Sequence, residues 1–222
     1  MTLQLLLDSA DPMAWQRWFP TGIFAGITTN PTLLRRADQP CQLDHLKRLA
    51  LKAEQLGCRE LHLQAWGKNA NELSECGTAL AQLTTRALTI QIKLPITQTG
   101  SQAAQKLIAA EIPITFTACY EPPQVLIAAA LGAKYIAPYL GRINDQGGDG
   151  YAELVAMQRA LDGVNSSCRL LVASLRQKRD LSDLAAAGIN SFTISPALAD
   201  ELFNVTATLE ASEDFEKDAR RL

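Results

Sequence analysis

The chain has 222 residues, 47% of them hydrophobic and 20% charged, with a formal net charge of -2 at pH 7. That length suits a single α/β barrel with a sizeable core, and the balanced charge argues against nucleic acid or an acidic membrane as partner, although a few local arginines suffice for a small anion. The five cysteines form no CxxC pair, and His45 and His62 stand in neither an HExxH nor an HxH arrangement, so no disulfide framework, zinc site or other metal is expected.

The N-terminal stretch MTLQLLLDSADP lacks the basic flank and long apolar run of a signal peptide, and no apolar run is long enough to span a bilayer. A cytoplasmic protein is expected. Strand-like runs then alternate with helical patterns: Leu3–Leu7 with a helix near Met13–Phe19, and Gly22–Thr28 with helical stretches at Thr32–Ala37 and Leu43–Leu56. Glu60–Gln64 precedes a helix at Asn69–Thr84, Leu88–Lys93 one at Ser101–Ala110, and Ile114–Thr117 one at Pro122–Leu131. Tyr135–Tyr139 pairs with Tyr151–Leu161, Leu170–Ser174 with Lys178–Ala187, and Ser191–Ser195 with Pro196–Phe203. Leu56-Gly57, Leu131-Gly132 and Ala187-Gly188 mark helix ends.

Eight strand-helix units predict parallel strands joined by helical crossovers, closed into a (β/α)8 TIM barrel. An open doubly wound sheet is the alternative, but neither GxGxxG nor GxxxxGK[ST] is present to support it. Residues 1–222 read as a single barrel domain with a charged helical extension at about 205–222. In that tail Leu209, Phe215 and Leu222 are too few for a core, so it is expected to pack on the barrel exterior or on a neighbouring subunit.

In barrel strands, side chains alternate between the interior and the helix layer. Ile90, Ile92 and Leu94 share one parity and should face the helices, leaving Gln91 and Lys93 inside; the same test turns Asp8, His62, Gln64, Thr115 and Thr117 inward. Polar residues thus end strand after strand on the interior parity: Asp8, Thr28 or Asn30, Gln64, Lys93, Thr117, Tyr139 and Ser174. His62, deeper in its strand, reads as an interior packing residue, and Gln91 is open to either reading. Burial of Lys93 disfavours the ammonium form, so this lysine needs a carboxylate partner or becomes a nucleophilic amine.

Taken together, Asp8, GITTNP (Gly26–Pro31), Gln64, IKLP and APYLGRI resemble the transaldolase family of class I aldolases, and most of all its short fructose-6-phosphate aldolase subfamily. The resemblance covers nearly the whole chain. It implies that Lys93 forms a Schiff base with a ketose, that Asp8 assists proton transfer, and that Thr28 and Asn30 hold substrate hydroxyls. Gln64, Thr117 and Tyr139 match positions that orient a catalytic water, and Arg142, Ser174 and Arg176 match residues near the substrate phosphate. Gln64 and Tyr139 stand where transaldolases carry glutamate and phenylalanine, which places the chain with the aldolase branch.

Two features depart from that pattern: Leu175, where ASFR or ASFK is common, and the ISP of Ile194–Pro196, which is closer to larger transaldolases. The expected function is cleavage or formation of fructose 6-phosphate from dihydroxyacetone and glyceraldehyde 3-phosphate, with transaldolase transfer in the pentose phosphate pathway as the alternative. More distant alternatives are a phosphosugar isomerase or lyase with Lys93 as acid or electrophile, and a non-catalytic sugar-phosphate binding barrel. No cofactor is expected, because the iminium itself withdraws electrons where a metal would polarise the carbonyl. The resemblance also implies a homo-oligomer, often a decamer.

Overall fold

The computed structural model describes residues 2–221. Its strands are β1 (Gln4–Asp8), β2 (Phe24–Thr28), β3 (Glu60–Gln64), β4 (Thr89–Pro95), β5 (Ile114–Cys119), β6 (Tyr135–Pro138), β7 (Arg169–Val172) and β8 (Ser191–Ile194). All pair in parallel and in chain order, and β8 returns to β1 to close the barrel. Closure excludes the open-sheet alternative. The helices are α1 (Pro12–Trp18), α2 (Pro31–Arg36), α3 (Leu43–Gln55), α4 (Ala70–Ala81), α5 (Gln98–Ala109), α6 (Pro123–Leu131), α7 (Leu140–Asp145), α8 (Gly150–Gly163), α9 (Lys178–Ala186), α10 (Pro196–Phe203) and α11 (Thr206–Ala219).

The parity expectation holds. Leu61, Leu63, Ile90, Ile92, Leu94, Ile114 and Phe116 are buried in one continuous cluster with the helices. Each such side chain contributes about 1.5–3 kcal/mol when removed from water. On the inner face, Leu6, Tyr135, Ala137 and Leu171 make a second, smaller apolar cluster from β1, β6 and β7. The rest of the interior is polar, with Thr28, His62, Gln91, Lys93, Thr115, Thr117 and Thr193 all buried.

Polar groups in a barrel interior need partners, and at the N-terminal end they find them in Glu60. Its carboxylate accepts from the Tyr135 hydroxyl at 3.0 Å and from Gln91 Nε2 and Lys134 Nζ at 3.3 Å each. Room for Glu60 comes from Gly26, where an added Cβ would lie 2.4 Å from the Glu60 carbonyl oxygen. His62 is fully buried, 3.0 Å from the Thr115 hydroxyl through Nδ1, and packs 5.3 Å from the Tyr135 ring centre. It is an interior packing residue, as its depth in the strand suggests.

Several boundaries differ from the sequence reading, each for a local reason. A 3-10 turn at Phe19–Thr21 ends on Gly22 in the left-handed region (φ 74), so β2 begins at Phe24 rather than Gly22. Strands β6 and β7 stop at Pro138 and Val172, short of Tyr139 and Ser174, because Tyr139 opens the short helix α7 and Ser174 takes a φ of 59. Tyr139 and Ala173 still form an isolated parallel bridge. No periodicity announces α7, which is a single turn and a half and leaves Gly141 against the Ser174 carbonyl, its N–H donating there at 3.0 Å.

Helix α11 forms where the charged tail was read, but none of its residues is buried, and Leu209 and Phe215 are exposed at 48% and 72%. Within this chain it buries no side chain against the barrel exterior; Leu222 lies outside the described residues. Among the described residues no helix is long and apolar enough to cross a membrane.

Candidate active site

The C-terminal strand ends open on a cavity of about 160 Å³. Asp8, Thr28, Asn30, Lys93, Tyr139, Arg142 and Ser174 line it. The sequence at each wall explains the placement. Asp8 and Thr28 are the last residues of β1 and β2 and lie opposite one another in register. Asn30 caps α2, its Oδ1 accepting from the Leu33 N–H at 2.9 Å with Pro31 at the first helical position, which leaves the side-chain amide free to face the cavity.

Lys93 is 5% exposed, and its Nζ donates to the Thr29 carbonyl at 2.8 Å. That carbonyl is itself fixed, because the Thr29 N–H and hydroxyl both donate to the His62 carbonyl, at 3.1 and 2.9 Å. The amine therefore has a defined resting place. Burial pushes the Lys93 pKa down from its ordinary value, with Asp8 pulling the other way. Burial pushes Asp8 up, opposed by Lys93, the Thr28 hydroxyl and Arg142. Burial thus moves each group toward its neutral form.

The Thr28 hydroxyl donates to Asp8 Oδ1 at 2.6 Å and lies 2.5 Å from the Thr193 hydroxyl. A hydroxyl has one proton, so Thr193 donates to Thr28 and the two form a directed chain ending on the carboxylate. On the far wall the Tyr139 and Thr117 hydroxyls are 2.5 Å apart. The Arg142 guanidinium lies over the Tyr139 ring at 4.7 Å and donates to the Tyr120 hydroxyl at 3.4 Å, while Tyr120 meets Tyr139 edge-on at 5.6 Å. Positive φ values at Ala118 (58) and Ser174 (59) mark strained backbone on both sides of this wall.

The remaining expected residues lie elsewhere. Thr117 reaches the cavity only through Tyr139, and Gln64, in register beside Lys93, does not line it. Arg176 points to the surface, where it makes a two-point ion pair with Asp145. The sequence reading missed Thr29, Thr193, Tyr120 and Arg36. Thr193 could have been found, because it shares the interior parity of β8; Arg36 carried no strand-end signal, since it reaches the cavity from α2. Among the described residues no three histidine, cysteine, aspartate or glutamate side chains gather as metal ligands. What the cavity offers is an amine, a carboxyl, a phenol and cations without carboxylate partners.

A family model described as Transaldolase/Fructose-6-phosphate aldolase matches residues 5–222. Similar proteins include a "Probable transaldolase" of Caulobacter vibrioides (strain NA1000 / CB15N), 29% identical over 216 residues that cover 97% of this chain and 96% of that one. Another "Probable transaldolase", from Phenylobacterium zucineum (strain HLK1), is 28% identical over 218 residues, with 97% and 96% covered. Among solved structures, one titled "Native KDPGal structure" superposes with a TM-score of 0.59 at 12% identity, covering 87% of this chain and 82% of that one. A mandelate oxidase structure gives a TM-score of 0.59 at 13% identity, covering 86% and 64%. At such identities these structures attest the fold alone.

Proposed function

The chain belongs to the transaldolase/fructose-6-phosphate aldolase family, and from that premise we propose that it is a Schiff-base aldolase that cleaves and forms fructose 6-phosphate. The reading rests most heavily on one observation: the cavity that holds Lys93 also holds a phenol, Tyr139, hydrogen-bonded to Thr117 at 2.5 Å. Neutral Lys93 attacks the C2 carbonyl of the ketose, and loss of water gives an iminium. Removal of the C4 hydroxyl proton breaks the C3–C4 bond; glyceraldehyde 3-phosphate leaves, and the electron pair passes into the iminium to give an enamine.

The fate of that enamine divides the family. Protonation at C3 and hydrolysis release dihydroxyacetone and restore the amine. Tyr139 supplies the proton through a water, a step that phenylalanine could not serve, with Thr117 setting the direction of the phenol O–H. Asp8, held by Thr28, exchanges protons with the carbinolamine and opposes the charge of the iminium. Thr28 and Asn30 hold the hydroxyls of the three-carbon unit, and Arg142 and Ser174 meet the phosphate end. Gln64, beside Lys93 at the end of β3, can reach the reacting carbon through a water, whereas Arg176 takes part only if it leaves Asp145.

The names of the similar proteins favour a second reading, in which the enamine waits for another aldehyde and a dihydroxyacetone unit is transferred. Fructose 6-phosphate offered alone separates the two. The aldolase releases free dihydroxyacetone with steady turnover, and Tyr139→Phe suppresses that release while leaving the imine intact. Turnover that strictly needs an added aldehyde acceptor would move the reading to transaldolase.

A further inference from the structure

We infer that Arg36 is a specificity-determining residue that holds the phosphate of the substrate from the wall opposite Arg142. The inference rests on the sugar-phosphate reading above and deepens it. Arg36 lines the same cavity as Lys93, yet belongs to α2, on the face it shares with Thr32 one turn earlier. Four residues of helix rise about 6 Å, so Arg36 sits roughly one turn beyond Thr32 along the helix that follows β2. Arg142 enters from α7, after β6. In a closed barrel ordered β1 to β8 those two strands face each other, so the two guanidinium groups approach one opening from opposed walls.

The charges around them leave both available. Among the described residues Arg36 makes no ion pair, and Arg142 contacts the Tyr139 ring and the Tyr120 hydroxyl but no carboxylate. Arg176, by contrast, is occupied by Asp145. Among the described residues Asp8 is the only acidic side chain on the cavity wall; it accepts from Thr28 and lies in the fields of Lys93 and, more weakly, Arg142. A dianion at the mouth therefore meets two planar, always-charged forks, neither of them ion-paired to a carboxylate, the arrangement that phosphate recognition favours. Dihydroxyacetone carries no phosphate, so the first half-reaction should be blind to Arg36.

The test is aldol addition of dihydroxyacetone to two acceptors, glyceraldehyde 3-phosphate and unphosphorylated glyceraldehyde. For Arg36→Met, kcat/KM with the phosphorylated acceptor should fall by about tenfold or more, mainly through KM, while the unphosphorylated acceptor stays within about twofold. Arg35→Met, on the neighbouring outward-facing residue, should leave both acceptors within about twofold, and Arg36→Lys should recover part of the loss. Equal losses for the two acceptors, or no loss for the phosphorylated one, would overturn the role of Arg36. Borohydride trapping of dihydroxyacetone on the same variant keeps the two claims apart: a variant that still forms the imine tests Arg36 alone, whereas failure of the unaltered protein to form it counts against the aldolase reading instead.

Discussion

Asp8 and Lys93 each bias the other toward its charged form, while burial drives both toward neutrality. This opposition has a measurable sign. Asp8→Asn removes the charge that raises the Lys93 pKa and leaves burial unopposed, so the amine should be free at lower pH than in the unaltered protein. The acid limb of imine formation with dihydroxyacetone, followed by borohydride quench across pH, should therefore move to lower pH. Turnover should fall at the same time, by about 10²- to 10⁴-fold if Asp8 carries a proton in the reaction. An acid limb that stayed in place or moved to higher pH would mean that Asp8 does not set the state of Lys93. Thr29 links the two ends of this arrangement: its carbonyl accepts from the amine, and its hydroxyl and N–H both donate to the His62 carbonyl.

At the level of elements, β3 ties the bottom of the barrel to its mouth. Burial alone would raise the Glu60 carboxyl, but His62, Lys134 and Tyr135 together hold it down to about 2. A carboxylate whose folded pKa lies below its unfolded value adds stability that is complete above the unfolded value and is lost as pH falls through the folded one. From an ordinary 4.5 to about 2, that amounts to something on the order of 3 kcal/mol. Burial pushes the His62 pKa down against the opposing pull of Glu60, so protonation of His62 adds a loss coupled to that of Glu60, beginning as pH falls below its ordinary 6.5. Glu60→Gln should thus be less stable at neutral pH, lose more to His62 protonation because Glu60 no longer supports the imidazolium, and fall less steeply than the unaltered protein between pH 4.5 and 2. Denaturant midpoints measured across that range check it; curves for the two proteins that fell in parallel below pH 4.5 would show that Glu60 is not the group responsible. Only part of this layer was legible in the sequence. Parity turned His62 and Gln91 inward, but nothing in a linear pattern shows Glu60, Tyr135 and Lys134 meeting across the barrel floor.

For the whole molecule, the barrel was legible because eight apolar runs at regular spacing have few other ways to be buried, and parity then located the mouth. Legibility declined where contacts are long-range or where structure is short. The turn-and-a-half α7 has no periodicity to read, Arg36 reaches the site from a helix rather than a strand end, and Arg176 is drawn off by Asp145 at the end of α7. Tail helix α11 was read correctly as a helix, yet none of its residues is buried against the barrel. All these details modify a single claim, that Lys93 is a covalent nucleophile in a cavity built around its neutral amine. Sodium borohydride added to the protein with dihydroxyacetone, followed by peptide mass analysis, tests it most directly. A three-carbon adduct on Lys93, absent without the ketone and absent in Lys93→Met, is the predicted result; a protein left unmodified there, or modified on another lysine, would contradict it.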